Sequence, residues 1–522
     1  MAKANMNPSV LCCALFACSV LMTVSAADYF WHAPQNGDFG VAANWRLGST
    51  GTDGDAVTPP GESDTVYFCT GEYTISLNND ARIGKLYVEN QDSYAERTVH
   101  FNLNGHTLTT VDRYIVNGDV SHAAATLTFT NGCVSSEGKI LISKEAANAW
   151  TGNLILDDVI CATTNDIGVM GAWPSLIVRN GSKISCSSLG GRVFQIGETM
   201  DIAGAEINAR GALHFVGPHR ARIHDGTWIH STNSLFINGY AQDCTVGHRV
   251  GGRVVVDHSV ITNAGIKTRI LLGTAAYDNS GNLGECVLIL TNHTVCTGYG
   301  YGHVGGRQNE TFSCSNRIEI VDGSLLEMNG FEYGTSRTCD GLIVSFSRGS
   351  SDNVLYVKDG TYIGRFLRIG NTGATETSCG TNNILHIAGT CPLVKTTAQH
   401  NQWNLSMQFA SGSILRFDIG RDGYENVPIQ VGGTLVASRP EIEPFNTLSN
   451  RLEIAARDFD REHPNERLVL IETSRDSAAA FQELIGNSRF SSSHPGTLSI
   501  ENSGKSLVYT APKKVGSVIY IQ

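Results

Sequence analysis

Four histidines, His214, His219, His224 and His230, fall within 17 residues and share that stretch with Arg220 and Arg222. Three converging imidazoles would make a zinc-type site, but no HxH or HxxxH spacing is present. Alternation along strands turns some of these side chains outward, and turns separate the rest. The expected reading is a wet, partly basic face with no metal ligand set. Such a face suits an acidic sugar, and His214, His219, Arg220, Arg222, His224 and His230 are its candidate ligand-binding residues.

Recurring acids offer a second chemistry. Asp157, Asp225, Asp257, Asp322 and Asp359 invite comparison with polysaccharide-cleaving enzymes, which need two carboxyl groups about 5 to 9.5 Å apart. Adjacent parallel strands lie about 4.8 Å apart, so stacked acids would meet that distance. These acids nevertheless sit at a repeated turn, where Asn131, Asn180 and Asn292 take the same place without a carboxylate. Geometry of the turn therefore accounts for them. Lys183, Arg253, Arg317 and Lys358 lie near strands but belong to no catalytic phrase. No nucleophile elbow, phosphate loop or dinucleotide fingerprint appears, and no catalytic residue is assigned.

The acidic loop Asp53-Gly54-Asp55, with Glu62 and Asp64, has oxygen ligands for calcium. It lacks the ligand rhythm of a calcium loop and reads as a solvated segment before a strand. No cofactor is expected, calcium being the one cation considered.

The elements that carry these residues repeat. A short alternating strand, an Asn/Asp turn and a second strand recur as "LTFTNGCVS" (Leu127), "LILDDVICA" (Leu154), "LIVRNGSKIS" (Leu176), "ARIHDGTWI" (Ala221) and "VVVDHSVIT" (Val254). The series continues as "LILTNHTVCT" (Leu288), "IEIVDGSLLE" (Ile318), "LYVKDGTYIG" (Leu355) and "LHIAGTCPLV" (Leu385), with "DIAGAEINA" (Asp201) filling a gap. Between copies lies an aliphatic residue followed by Gly: Ile167-Gly168, Ile196-Gly197, Val216-Gly217, Val246-Gly247, Leu272-Gly273, Val304-Gly305 and Ile369-Gly370. The cycle takes roughly 20 to 37 residues, and one copy cannot bury its own apolar face. Stacking the copies would. The pattern predicts an all-β chain, a right-handed parallel β-helix with an N-terminal β cap and a small β-rich C-terminal cap.

Residues 1–26 have the form of an export signal. Lys3 precedes an apolar core from Val10 to Val24, and small residues follow at Ser25, Ala26 and Ala27. Cleavage is expected after Ala26 or one residue later. The apolar core is shorter than the ~20 residues of a membrane span, and no integral membrane segment is expected. Charged residues are only 17% of the chain and glycines number 56, a mix poor in helix formers. A net charge of -11 gives nucleic acid no electrostatic footprint. Of 14 cysteines, eleven follow the signal and none forms a CxxC pair there. Cys286/Cys296 and Cys379/Cys391 are close enough in sequence to bridge if their strands stack, whereas burial as single thiols suits most of the eleven.

Residues 27–120 read as the N-terminal cap, 121–400 as repeats, and 401–522 as the C-terminal cap, with one short helix in "SAAAFQELIG" (Ser477). Trp31, Gly37-Asp38-Phe39, Asn44-Trp45, Pro60-Gly61, Asp64, Val66 and Phe68 form a spaced pattern. It continues through "IGKLYV" (Ile83) and "LNGHTLT" (Leu103). This pattern resembles that of exported bacterial β-helix proteins, similar to autotransporter passengers and their autotransporter-associated β-strand relatives. The resemblance implies export and a β-helix, and assures no activity. A C-terminal run of membrane-barrel strands, as in true autotransporters, is not seen.

The expectation is a secreted or surface-displayed protein with a structural, adhesive or glycan-binding role and no catalysis. Its partner would be an extracellular polysaccharide. The alternative is a polysaccharide-degrading β-helix enzyme, a lyase or glycoside hydrolase.

Overall fold

The computed structural model describes residues 26–33, 35–48, 51–69, 71–88, 97–116, 125–142, 152–169, 175–190, 199–216, 220–238, 251–265, 268–273, 285–305, 314–328, 341–345, 350–370, 380–397, 405–410, 412–437 and 449–513. Strands come in threes. Arg253–Asp257, Val260–Asn263 and Arg269–Leu272 are followed by Val287–Thr291, Val295–Thr297 and Tyr301–Val304. Each strand pairs in parallel with its counterpart in the next triplet. The result is an all-β, solenoid-like stack with three parallel sheets, here called first, second and third in chain order.

Strict register makes the core a set of columns. Val254, Leu288, Ile318, Leu355, Leu385, Leu415 and Leu452 stand above one another on the inner side of the first sheet. All seven are fully buried. Burying such a side chain contributes about 1.5–3 kcal/mol, so the column is the main force joining coil to coil. Residues between them, such as Arg317, Glu319 and Tyr356, point outward and stay partly exposed.

The turn from first to second sheet explains the repeated Asn/Asp-Gly phrase. Asn180-Gly181, Asp225-Gly226 and Asp322-Gly323 place both residues at positive φ, which glycine adopts freely and Asn or Asp tolerate. The residue after the turn closes it: Ser182, Thr227 and Ser324 sit there, and Thr227 Oγ1 donates back to the His224 carbonyl at 2.7 Å. Asp359 also has positive φ, but at Asp157 and Asp257 the left-handed residue is the next one, Asp158 or His258. Those two acids belong to the strand edge rather than to the turn centre.

A buried polar ladder runs at the entry to the first sheet. Asn316, Asn353, Asn383 and Asn450 each precede a strand of that sheet and are fully buried. Asn383 Oδ1 accepts the Asn353 backbone N–H at 3.2 Å and its Nδ2 at 3.0 Å. The preceding residues Ser315, Asp352 and Asn382 have positive φ and point the carboxamide inward. Gly305 belongs to the same packing: a Cβ there would lie 2.8 Å from Asn353 Nδ2. The aliphatic-Gly phrase thus ends a third-sheet strand with room left for the ladder.

Pairing is continuous across the boundaries read from sequence. Gly71–Ser76 pairs with Arg97–Asn102, which pairs with the start of Ala125–Ser136, and Ile384–Gly389 pairs with Ile414–Ile419. Parallel order gives way to antiparallel hairpins near both termini, where Asp28–Trp31 meets Trp45–Leu47 and Ser506–Thr510 meets Thr497–Glu501. At the first of these ends Trp45 is fully buried and donates Nε1 to the Phe39 carbonyl at 2.9 Å. Trp31, Phe39 and Phe68 pack on its ring at 4.9, 5.1 and 5.8 Å. Gly37 is required here, because a Cβ would come within 2.8 Å of the Trp31 ring.

Among the described residues two helices interrupt the last coils: α1 (Arg457–Glu462) follows the strand Arg451–Ala455, and α2 (Ala478–Gly486) precedes Ser488–Phe490, which pairs in parallel with that strand. α2 lies in the stretch read as a short helix from sequence and buries Ala480, Phe481 and Leu484 on one face. α1 was not foreseen: a six-residue helix with only Phe459 buried carries no periodicity. Cys286 and Cys296 are free and buried rather than bridged, since one precedes a first-sheet strand and the other lies in the second sheet. Cys391 is free and exposed, and Cys379 lies outside the described residues.

Candidate functional site

Of the six residues singled out in sequence, the five that the structure describes fall on three faces. Arg220, Arg222 and His224 alternate outward along one first-sheet strand, Arg220–His224. His230 points outward from the second sheet, in Trp228–Ser231, with Nδ1 3.0 Å from Thr262 Oγ1. His214 is on the third sheet, its ring stacked on Phe236 at 4.8 Å. His219 lies outside the described residues. The coil thus brings Arg220, Arg222 and His224 together and separates His214 and His230 from them.

Partners then distinguish the three that remain. His224 Nε2 lies 2.8 Å from Asp201 Oδ1; Nδ1 is 2.8 Å from Asp225 Oδ2 but off-line, without a hydrogen bond. Arg222 reaches Asp257 at 3.5 Å, and Arg179 two coils away is held by Asp157 at 2.9 Å. Arg220 is different. It pairs across the sheet with Arg253, both are exposed, and neither has an ion-pair or hydrogen-bond partner among the described residues. Two guanidinium groups on neighbouring strands about 4.8 Å apart repel each other.

Beyond the Gly226 turn, Trp228 is 40% exposed, one of few large apolar side chains left in solvent among the described residues. Trp228 was not among the residues picked out from sequence, and Arg253 entered there only as a candidate catalytic base, not as a ligand-binding residue. Superposing the repeat phrases would have found Arg253, because "RARIH" and "RVVVD" open two successive strands with Arg.

Carboxyl groups are mostly engaged. Asp55 pairs with Arg46 at 3.5 Å and Glu62 with Arg82 at 3.1 Å, while Asp64 is buried and accepts backbone N–H groups from Ala27 and Gly61. The calcium candidates therefore face three different partners, and no group of three potential metal ligands occurs among the described residues. Asp322 accepts a hydrogen bond from Thr291, and Asp359 from the Thr390 and Cys391 backbone.

General acid chemistry needs a carboxyl held above its ordinary range. Burial pushes Asp418 upward, but His386 at 2.7 Å and Arg416 at 3.1 Å outweigh it and hold that carboxyl below the usual value. Lys183 keeps Glu206 low in the same way. Burial raises Asp460, whose neighbour is a phenol, Tyr509 Oη at 2.6 Å, rather than a second carboxylate. Burial also drives the thiols of Cys161, Cys186 and Cys296 up to about 12, far from a nucleophile's range.

Against this geometry, comparison with protein-family models, curated proteins and solved structures finds no match.

Proposed function

We propose that this protein is exported, displayed outside the cell, and acts without catalysis as a β-helix that binds an acidic polysaccharide through the outer face of its first sheet. The observation that carries this reading is the uncompensated pair Arg220 and Arg253 on adjacent strands. Like charges directly opposite one another destabilise a sheet, and a polyanion seated across them relieves that cost. A carboxylate or sulfate sugar presents planar or tetrahedral oxygens that a guanidinium holds in two-point contact. Trp228, around the turn, offers a ring on which a sugar face stacks.

Export rests on the apolar leader and the small residues after it. A right-handed coil is the expected sense, because crossovers between parallel strands take that hand almost without exception. The tryptophan cluster and the C-terminal hairpin with its two helices are read as caps, since the open ends of a stack expose strand edges that invite aggregation. The test is a panel of acidic and neutral polysaccharides scored for both retention and depolymerisation. Retention of acidic chains without cleavage supports the proposal. Reproducible cleavage, lost when surface acids are replaced, assigns the protein to the polysaccharide-degrading class instead.

A further inference from the structure

Asp64 is 7% exposed, yet its carboxylate has no cation among the described residues. Its Oδ2 accepts the Gly61 N–H at 2.8 Å and its Oδ1 accepts the Ala27 N–H at 2.9 Å. A buried carboxylate held only by neutral donors is costly, and evolved interiors pair such a charge. The donor on Oδ1 is the residue that follows the exposed Ala26. Val24-Ser25-Ala26 places small or short residues at the two positions that a leader-cleaving endopeptidase reads.

We infer that the leader is removed between Ala26 and Ala27, and that the new α-ammonium of Ala27 becomes the missing cation of Asp64. Water adds across the Ala26–Ala27 peptide bond during export, leaving a carboxylate on Ala26 and an amine on Ala27 that takes up a proton. The chain then folds with this ammonium on Asp64 Oδ1. The rest of Ala27 is already fixed: its carbonyl accepts the Thr65 N–H at 2.9 Å, and Asp28–Trp31 runs parallel to Thr65–Phe68. Cleavage one residue later would remove both bonds and leave Asp64 Oδ1 without its donor. The geometry therefore selects between two cut points that the sequence leaves open. It also ties processing to the first packed layer of the stack, since Val66 and Phe68 follow Asp64 directly into the core.

The inference rests on the export reading, and the experiment separates the two. The chain with its own leader is expressed in a bacterium, and the intact mass and N-terminal residue of the exported fraction are determined. The expected species begins at Ala27. An exported species beginning elsewhere overturns the inference and leaves the export reading standing; a chain that is never exported overturns both. In a second arm, purified chains beginning at Ala27 or carrying Ser25-Ala26 before it are melted side by side, each also as D64N. The expected result is a lower melting midpoint for the extended chain, with the difference abolished by D64N. Equal midpoints for the two starts overturn the ion pair. If D64N does not fold, the two native-sequence chains still decide the matter.

Discussion

Asn353 Oδ1 accepts two hydrogen bonds from one residue of the neighbouring coil: the Asn316 backbone N–H at 3.1 Å and its Nδ2 at 2.8 Å. Both asparagines are completely buried. Asn353 Nδ2 in turn donates to Asn383 Oδ1 and to Ser350 Oγ. A buried run of amides thus links three successive coils beside the aliphatic columns.

Removing one rung takes an acceptor from buried donors. N353A deletes the Oδ1 that accepts Asn316 N–H and Nδ2, at about 1–3 kcal/mol for each buried group that finds no substitute, and opens a void beside Gly305. The expected outcome is a clear fall in the urea midpoint of unfolding. N208A, at an outward-facing strand position, removes a hydrogen bond to Glu206 and should cost much less. Equal effects from the two would mean that the ladder contributes nothing special.

The tryptophan cluster predicts a large effect near the N-terminal end. Trp45 is buried against Trp31, Phe39 and Phe68, so W45A should cost about 3–5 kcal/mol, within the range for truncating buried aromatics. The check is chemical denaturation followed by fluorescence. A midpoint shift below about 1 kcal/mol would show that this end of the stack does not depend on the ring.

Much of this was legible in the sequence, and the gaps have physical causes. The first and second sheets have one buried and one wet face, so "IEIVDGSLLE" displays both strands and their turn. In its later coils the third sheet does not alternate. All four residues of Tyr301–Val304 and of Gly341–Val344 are buried, which erases the period of two and leaves only the terminal Gly or Ser as a signal. The amide ladder lies outside the repeated phrase, whose first buried aliphatic residue comes two places after Asn316, Asn353 or Asn383. Proximity in sequence misjudged the histidines: His214, His224 and His230 are close along the chain, but a coil of three strands turns them to three sides.

Thiol reactivity offers another check. Cys161, Cys186 and Cys296 are buried and free, with thiols raised to about 12 from an ordinary 9.0. They should resist a maleimide in the folded protein and react after denaturation, whereas exposed Cys391 reacts at once. The raised values also fix a pH dependence. Their contribution to stability is complete below about 9 and is lost as pH rises from there toward about 12, because only the unfolded thiols ionise in that window. Rapid labelling of Cys161 in the native state would contradict the packing.

On the acid side, Asp418 behaves in the opposite sense. Its carboxyl is held below the ordinary 3.8 by His386 and Arg416 despite burial. Its stabilising contribution is present above that value and is lost as pH falls through the depressed one. D418N should therefore lower the melting midpoint at neutral pH and lose that difference in strong acid. A midpoint gap between wild type and D418N that is constant from neutral to acid pH would rule this out.

The claim that the first-sheet face binds an acidic polysaccharide is tested most directly by affinity for polygalacturonate, with dextran as the neutral control. The wild-type chain is compared with R220Q/R253Q at two salt concentrations. The account predicts retention on polygalacturonate alone, weakened by salt and reduced about tenfold or more in the double variant, equivalent to about 1.4 kcal/mol. Equal retention on dextran, or affinity unchanged by the two substitutions, would contradict it.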